Sequence, residues 1–178
     1  MSVAVIKRAP RLGFNPTNRK MTNLDQVREA MVERQQRRRG IVEPHILDAF
    51  RQVPREQFVS AANEHLAYGD HPLPIEAGQA TSQPYIVALM IQAGGIAPSQ
   101  RVFEVGAGSG YAAALISRVA ARVVGIERQH ELVEVARERM SGSAIRMSRS
   151  SRATARGAGP NGRPMTRSLP RRAEVMCQ

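Results

Sequence analysis

The chain has one cysteine, Cys177, so an intrachain disulfide is excluded and a reducing, cytoplasmic setting is expected. No apolar run approaches the ~18–20 residues of a membrane-spanning helix, and no membrane partner is expected. The opening stretch MSVAVIKRAPRLGF is too briefly apolar for a secretory leader. Residues 1–20 contain no acid and five basic residues, a bias shared with transit peptides. A second methionine, Met21, leaves two readings of the start. The four histidines (45, 65, 71 and 130) show no paired metal-ligand spacing, so no metal is expected. His71 flanks the extended segment before the candidate substrate loop and is a candidate to touch substrate.

Charge is abundant but unevenly placed. The net charge is +11, which by itself points to nucleic acid. Residues 1–140 carry 18 basic and 14 acidic residues, whereas residues 141–178 carry eight arginines and one glutamate. Most of the excess therefore sits in the last 38 residues, which are rich in Arg, Ser, Ala, Gly and Pro and lack aromatics. Such a segment buries too little apolar surface to offset its ordering entropy, and disorder is expected over 141–178. It could neutralise phosphates non-specifically but has nothing to stack on bases.

Between these ends the pattern is regular. LDQVREAMVERQQRRR (24–39) predicts a helix with Leu24, Val27 and Met31 inward, its arginine run solvated, and Gly40 as its stop. EPHILDAFRQV predicts a second helix with Pro44 in its first turn, and Pro54 ends it. Residues 68–75 contain two prolines and must be largely extended. A buried helix follows over 83–95. The period then changes to strand (101–105), helix (111–120), strand (122–126) and helix (130–140). Short links between these four imply a parallel α/β sheet.

The glycine turn VGAGSG between the first such strand and its helix carries the chemistry. Glycines let backbone approach a ligand closely and aim N–H groups at it. The spacing is G-x-G-x-G, with Tyr111 where a dinucleotide site has its third glycine. That disfavours a pyrophosphate and suits a smaller zwitterion such as S-adenosyl-L-methionine. Gly106, Ala107, Gly108, Ser109 and Gly110 are the candidate cofactor-binding backbone. Glu127 ends the second strand, where a carboxylate can accept from ribose hydroxyls. It can equally cap a helix or stand solvated. Glu104 lies beside the turn and could hold the ligand's ammonium.

The stretches VPREQFV, YGDHPLPIEAGQATSQPYIVALM, VFEVGAGSGYAAALISRVAARVVGIER and ELVEVARERM resemble the protein-L-isoaspartate O-methyltransferases. The resemblance begins near Met21 and covers roughly two thirds of the chain, GQATSQPYIVA being its most specific part. It implies a Rossmann-like fold and methyl transfer from S-adenosyl-L-methionine to the stray carboxylate of isoaspartyl residues in damaged proteins. The ester then collapses to a succinimide that can reopen to normal aspartate. It makes Ser82 the active-site serine and places Thr81 and Tyr85 in the same pocket. Read without the resemblance, Ser82 is an N-cap before Gln83 and Pro84. The family usually reads GQTISQPY; Ala80 and Thr81 depart from that, and Glu76 sets an extra acid near an anionic substrate.

The resemblance stops at Met140, where the family continues with a third strand and an acidic GDG-like loop. Residues 141–178 read as a truncated or frameshifted continuation, with a true basic tail as the alternative. The expected organisation is a flexible extension (1–20), a partial methyltransferase domain (21–140) and a disordered Arg-rich tail (141–178). Within the domain, residues 21–98 form the helical and substrate-loop part and residues 99–140 the cofactor-binding βαβα part. The fold class is α/β: the N-terminal half of a Rossmann-like methyltransferase sheet, with apolar surface left open on its far side. Two other functions stay open: a basic-tailed nucleic-acid-binding module, and a methyltransferase acting on a small molecule.

Overall fold

A computed structural model describes the backbone of residues 2–7, 22–141, 146–150 and 173–177, and side chains over residues 22–140. The first helix, α1 (Asn23–Met31), starts at a capping box in which the Thr22 hydroxyl accepts from the Asp25 amide while the Asp25 carboxylate accepts from the Thr22 amide. It continues as one wider π turn (Val32–Gln36) and a tighter turn (Arg37–Arg39), and Gly40, at φ +94°, stops it. Met31, Val32 and Gln36 are buried.

Leu24 and Val27, expected inward, lie outward and are 41% and 42% exposed. The reason is polar. The inner face of α1 is taken by Arg28, whose guanidinium donates to the Tyr68 hydroxyl (2.7 Å), Glu56 (3.2 Å) and the Arg51 carbonyl (3.2 Å), while Tyr68 donates in turn to Glu56. Hydropathy spacing does not register an arginine that packs inward.

Helix α2 (Pro44–Gln52) buries Ile46, Leu47, Ala49 and Phe50. After it, short 3₁₀ turns lead to a two-residue ladder of β2 (Leu73–Pro74) against β3 (Ala80–Thr81), with Leu73 opposite Thr81. Helix α3 (Pro84–Ala93) buries Val87, Ala88 and Ile91, but Ile86 and Leu89 are 40% exposed, so it is buried on one side rather than throughout.

Strand β4 (Arg101–Val105), helix α4 (Tyr111–Val119), strand β5 (Arg122–Glu127) and helix α5 (His130–Ser141) follow as expected. β4 and β5 are parallel, with Glu104 opposite Gly125. The run of small residues on α4 lets it sit close to the sheet: Ala112, Ala113, Ala114, Leu115 and Ile116 are all buried. The fold is Rossmann-like α/β.

Three strands lie where none was expected. β1 (Ser2–Lys7) pairs antiparallel with β5, β6 (Arg146–Ser150) pairs antiparallel with β1, and β7 (Ala173–Cys177) pairs parallel with β4. The sheet order is β6-β1-β5-β4-β7. Residues 2–7, 146–150 and 173–177 thus form strands inside the segments expected to be an unstructured extension and tail, and they pair on both sides of β4 and β5. The physical reason is that β4 and β5 present unpaired backbone edges, and short segments such as SVAVIK supply β-prone partners. The expectation of disorder elsewhere in 1–20 and 141–178 falls on residues outside those described.

Candidate active site

The glycine turn occupies the C-terminal end of β4, where α/β sheets bind ligands. Gly106, Gly108 and Gly110 have φ of +84°, +53° and +87°, values that a side chain would strain. Gly110 is also sterically required: a Cβ there would lie 2.7 Å from the Met140 methyl and 3.2 Å from Ala136 on α5.

Most of the turn's N–H groups are used within the protein. Gly106 and Ala107 donate to the Ile126 carbonyl (2.8 and 3.2 Å), Gly110 donates to the Ala107 carbonyl (2.8 Å), and Gly108 donates to Glu127 Oε2 (3.0 Å). Among the turn residues the Ser109 amide alone has no acceptor among the described residues. The turn is thus held by its own bonds and offers one free N–H rather than a row of them.

Glu127 ties β5 to this turn and to α5. Its Oε1 accepts from the amides of Arg128 (2.6 Å) and Gln129 (2.9 Å). Its Oε2 accepts only from Gly108, which leaves a lone pair for an outside hydroxyl.

Glu104 lies beneath the turn, fully buried, and neither oxygen completes a hydrogen bond among the described residues, the Ala113 backbone amide being near but out of hydrogen-bond geometry. Burial pushes its pKa from 4.5 up to about 8, helped by repulsion from Glu127 and only partly opposed by the Ala113 backbone amide. Gly125 on the neighbouring strand makes room: a Cβ there would stand 3.1 Å from the Ala107 methyl and 3.8 Å from Glu104 Oε2.

A cavity of about 280 Å³ opens over the turn. Of the sequence candidates, it brings together Thr81, Ser82, Gly106, Ala107, Gly108, Ser109 and Glu127. Gly110 lies behind it against α5, and Glu104 lies below its floor. Tyr85 points elsewhere. Its ring lies 3.5 Å from the Arg39 guanidinium, which also pairs with Asp70 at 2.7 Å. His71 is exposed and off the cavity wall.

Ser82 does not cap α3. Gln83 holds the N-cap position, with no side-chain cap bond, and the Ser82 hydroxyl makes no hydrogen bond to the described residues. The serine is therefore available to a ligand.

The sequence reading missed the loop 75–79 as a wall. Ile75 rests over Gly108, its Cδ1 3.5 Å from a Cβ built there. Glu76 is neutralised by a two-pronged pair with Arg139 of α5 (2.7 and 3.0 Å), so it adds no bare charge to the site. Tyr111 and Arg128 also line the cavity. In the sequence Tyr111 marks only the absence of a third glycine; its size and its place at the start of α4 are the signal for a wall residue. Among the described residues no group of three or more His, Cys, Asp or Glu could hold a metal, and no helix is long and apolar enough to cross a membrane.

Comparison with known proteins places this geometry. The family model for protein-L-isoaspartate(D-aspartate) O-methyltransferase matches residues 26–165, running past Met140, where the recognisable motifs end. Protein-L-isoaspartate O-methyltransferase 2 of Pelobacter propionicus is 51% identical over 120 residues, covering 67% of this chain and 53% of that protein. The Methylorubrum extorquens protein-L-isoaspartate O-methyltransferase is 52% identical over 123 residues, covering 69% of this chain and 54% of its own length. The chain therefore spans about half the length of the curated relatives it matches. A solved protein-L-isoaspartate O-methyltransferase superposes with a TM-score of 0.59 at 31% identity, covering 65% of this chain and 38% of that one. The structure of a Plasmodium falciparum relative, described as a putative protein-L-isoaspartate O-methyltransferase in complex with S-adenosyl-L-homocysteine, superposes with a TM-score of 0.55 at 25% identity, covering 65% of this chain and 55% of that one. Matched over most of its length by the family model, the chain belongs to the protein-L-isoaspartate(D-aspartate) O-methyltransferase family.

Proposed function

We propose that the chain transfers a methyl group from S-adenosyl-L-methionine to the free carboxylate of L-isoaspartyl residues in proteins, a first step of repair. One observation carries this reading: a single cavity joins Thr81 and Ser82 of the substrate loop to the glycine turn and Glu127. The residues present fit the cofactor. Glu104 has two orphaned buried oxygens suited to an ammonium, the Ser109 amide is free for a carboxylate, and Glu127 Oε2 can accept from a ribose hydroxyl.

The cofactor supplies an activated methyl group on a sulfonium. When bound, it would give that methyl group to a substrate carboxylate oxygen, the electron pair of the broken carbon–sulfur bond staying on sulfur. The products are a methyl ester and the thioether S-adenosyl-L-homocysteine. No base is required, because the nucleophile is already ionised. The task of the protein is to align it. The Ser82 hydroxyl can donate to one carboxylate oxygen, leave the other free to attack, and keep the group anionic. The reading carries a reducing, cytoplasmic setting with it, supported by the single cysteine.

The test is methyl transfer from labelled S-adenosyl-L-methionine to an isoaspartyl peptide beside its aspartyl twin. Label on the isoaspartyl peptide alone supports the proposal. Label on neither peptide, with methylation of a small molecule instead, would replace it with the small-molecule reading.

A further inference from the structure

Arg55 begins a short 3₁₀ turn (Arg55–Phe58) after α2, and its side chain is fully buried. Its fork spans two stretches of chain. Nη1 donates to the carbonyls of Ala67 (2.8 Å) and Gly69 (3.4 Å); Nη2 donates to those of Ser82 (3.1 Å) and His71 (3.4 Å). Gln83 repeats the link, donating from Nε2 to the Asp70 carbonyl at 3.0 Å. The guanidinium carbon lies 5.6 Å from the centre of the Tyr111 ring, and Tyr111 forms part of the cavity wall.

Among the described residues no carboxylate lies within ion-pairing distance of Arg55; nearby Asp70 is paired with Arg39 at 2.7 Å. The charge is met by carbonyl dipoles, the Tyr111 ring face and the more distant field of Asp70. Burying a cation without a counter-ion costs several kcal/mol. A loop could be pinned by neutral donors at lower cost. What a guanidinium adds is a fixed positive charge behind Ser82 and Tyr111, on the side of the cavity where an anionic nucleophile has to sit.

We propose that Arg55 is a positioning residue for substrate: it fixes the Ser82 backbone so that the hydroxyl faces the cavity, and its charge, which no carboxylate at ion-pairing distance cancels, holds the substrate carboxylate ionised there. This rests on the methyl-transfer reading. Arg55 acts through Ser82 and through its field, without touching the reacting atoms.

Two variants of the full chain test it, Arg55→Lys, which keeps the charge and loses the planar fork, and Arg55→Met, which loses both. Three readouts are needed: amide hydrogen exchange, S-adenosyl-L-homocysteine binding, and the pH profile of transfer to an isoaspartyl peptide. In both variants the amides of residues 80–83 should exchange faster while the glycine turn is unchanged. Turnover should fall about 100-fold, the cost of roughly 1 Å of misplacement, with cofactor-product affinity unchanged. In Arg55→Met alone the acid limb of the profile should move to higher pH, because the positive charge that favours the carboxylate is gone. If Arg55→Met fails to fold, Arg55→Lys still decides the positioning claim. Wild-type protection of residues 80–83 in folded Arg55→Lys, or equal losses of binding and turnover, would overturn it. If the wild-type chain methylates no isoaspartyl peptide, the functional reading falls by itself, and the exchange comparison still shows whether Arg55 holds Ser82.

Discussion

Among the described residues, Arg55 and Glu104 are the base and the carboxylic acid sealed inside the fold, and they are treated in opposite ways. Arg55, on the substrate side, has four carbonyl acceptors. Glu104, on the proposed cofactor side, completes no hydrogen bond among the described residues and has only the Ala113 backbone amide nearby. Burial lowers the pKa of Arg55, opposed by Tyr111, Tyr68 and Asp70, and raises that of Glu104. Both Nη atoms of Arg55 are met from within the protein and only its Nε lacks a partner, whereas both oxygens of Glu104 are left without a completed bond. On the methyl-transfer reading proposed above, the wall around Ser82 is therefore preorganised, whereas the side around Glu104 is completed by its ligand.

The largest expected effect concerns Glu104. Its folded pKa of about 8 lies above its ordinary 4.5, so between those values the folded state keeps a proton that the unfolded state has lost. Stability then falls as pH rises through that window, by up to roughly 1.4 kcal/mol per pH unit, and levels off above it. Urea melts of wild type and Glu104→Gln should differ by this slope, with the variant flat and the more stable of the two at the alkaline end. Bound S-adenosyl-L-methionine should remove the slope in wild type if its ammonium meets Glu104. A slope that persists with ligand bound would break the contrast with Arg55.

The next effect is Ser82→Ala. Loss of an aligning hydroxyl on a preorganised wall should lower methyl transfer by about 100-fold. Calorimetry should show cofactor affinity unchanged, since the substrate side is built without the ligand. Equal loss of both would remove the division between the two sides.

Gly110→Ala acts on the wall between the turn and α5. The positive φ and the close Met140 methyl together predict a loss of about 2 kcal/mol in thermal or urea unfolding. The smallest effect is expected for Glu76→Gln. It opens the two-pronged pair with Arg139 that joins residues 75–79 to α5, a part-buried contact worth about 1 kcal/mol. Salt should weaken the wild type towards the variant.

Local signals were legible where short-range chemistry decides the outcome. Pro44 and Pro84 stand at helix starts, Gly40 and the glycine turn have the positive φ their positions suggested, and β4–α4–β5–α5 follow their periods. The site was legible in part: Ser82, Thr81, the turn and Glu127 meet in one cavity, but Tyr85 leaves it to stack on Arg39. Nothing near Tyr85 in the chain foretells a partner 46 residues away. Leu24 and Val27 failed as inward residues for a similar reason, because Arg28 finds its acceptors at Arg51, Glu56 and Tyr68.

The sequence by itself determined the βαβα order, the glycine turn with its left-handed backbone and the resemblance that singles out Ser82. These follow from steric limits and periods that act within a few residues. Only the tertiary structure decided that Ser2–Lys7 and Ala173–Cys177 flank the central strands, that Glu76 is neutralised by Arg139, that Glu104 is buried with neither oxygen in a completed hydrogen bond and that Arg55 holds the Ser82 carbonyl. Each of these depends on groups distant in the chain reaching one another in a low-dielectric interior, where an unmet donor or acceptor is costly and the choice of partner is set by packing.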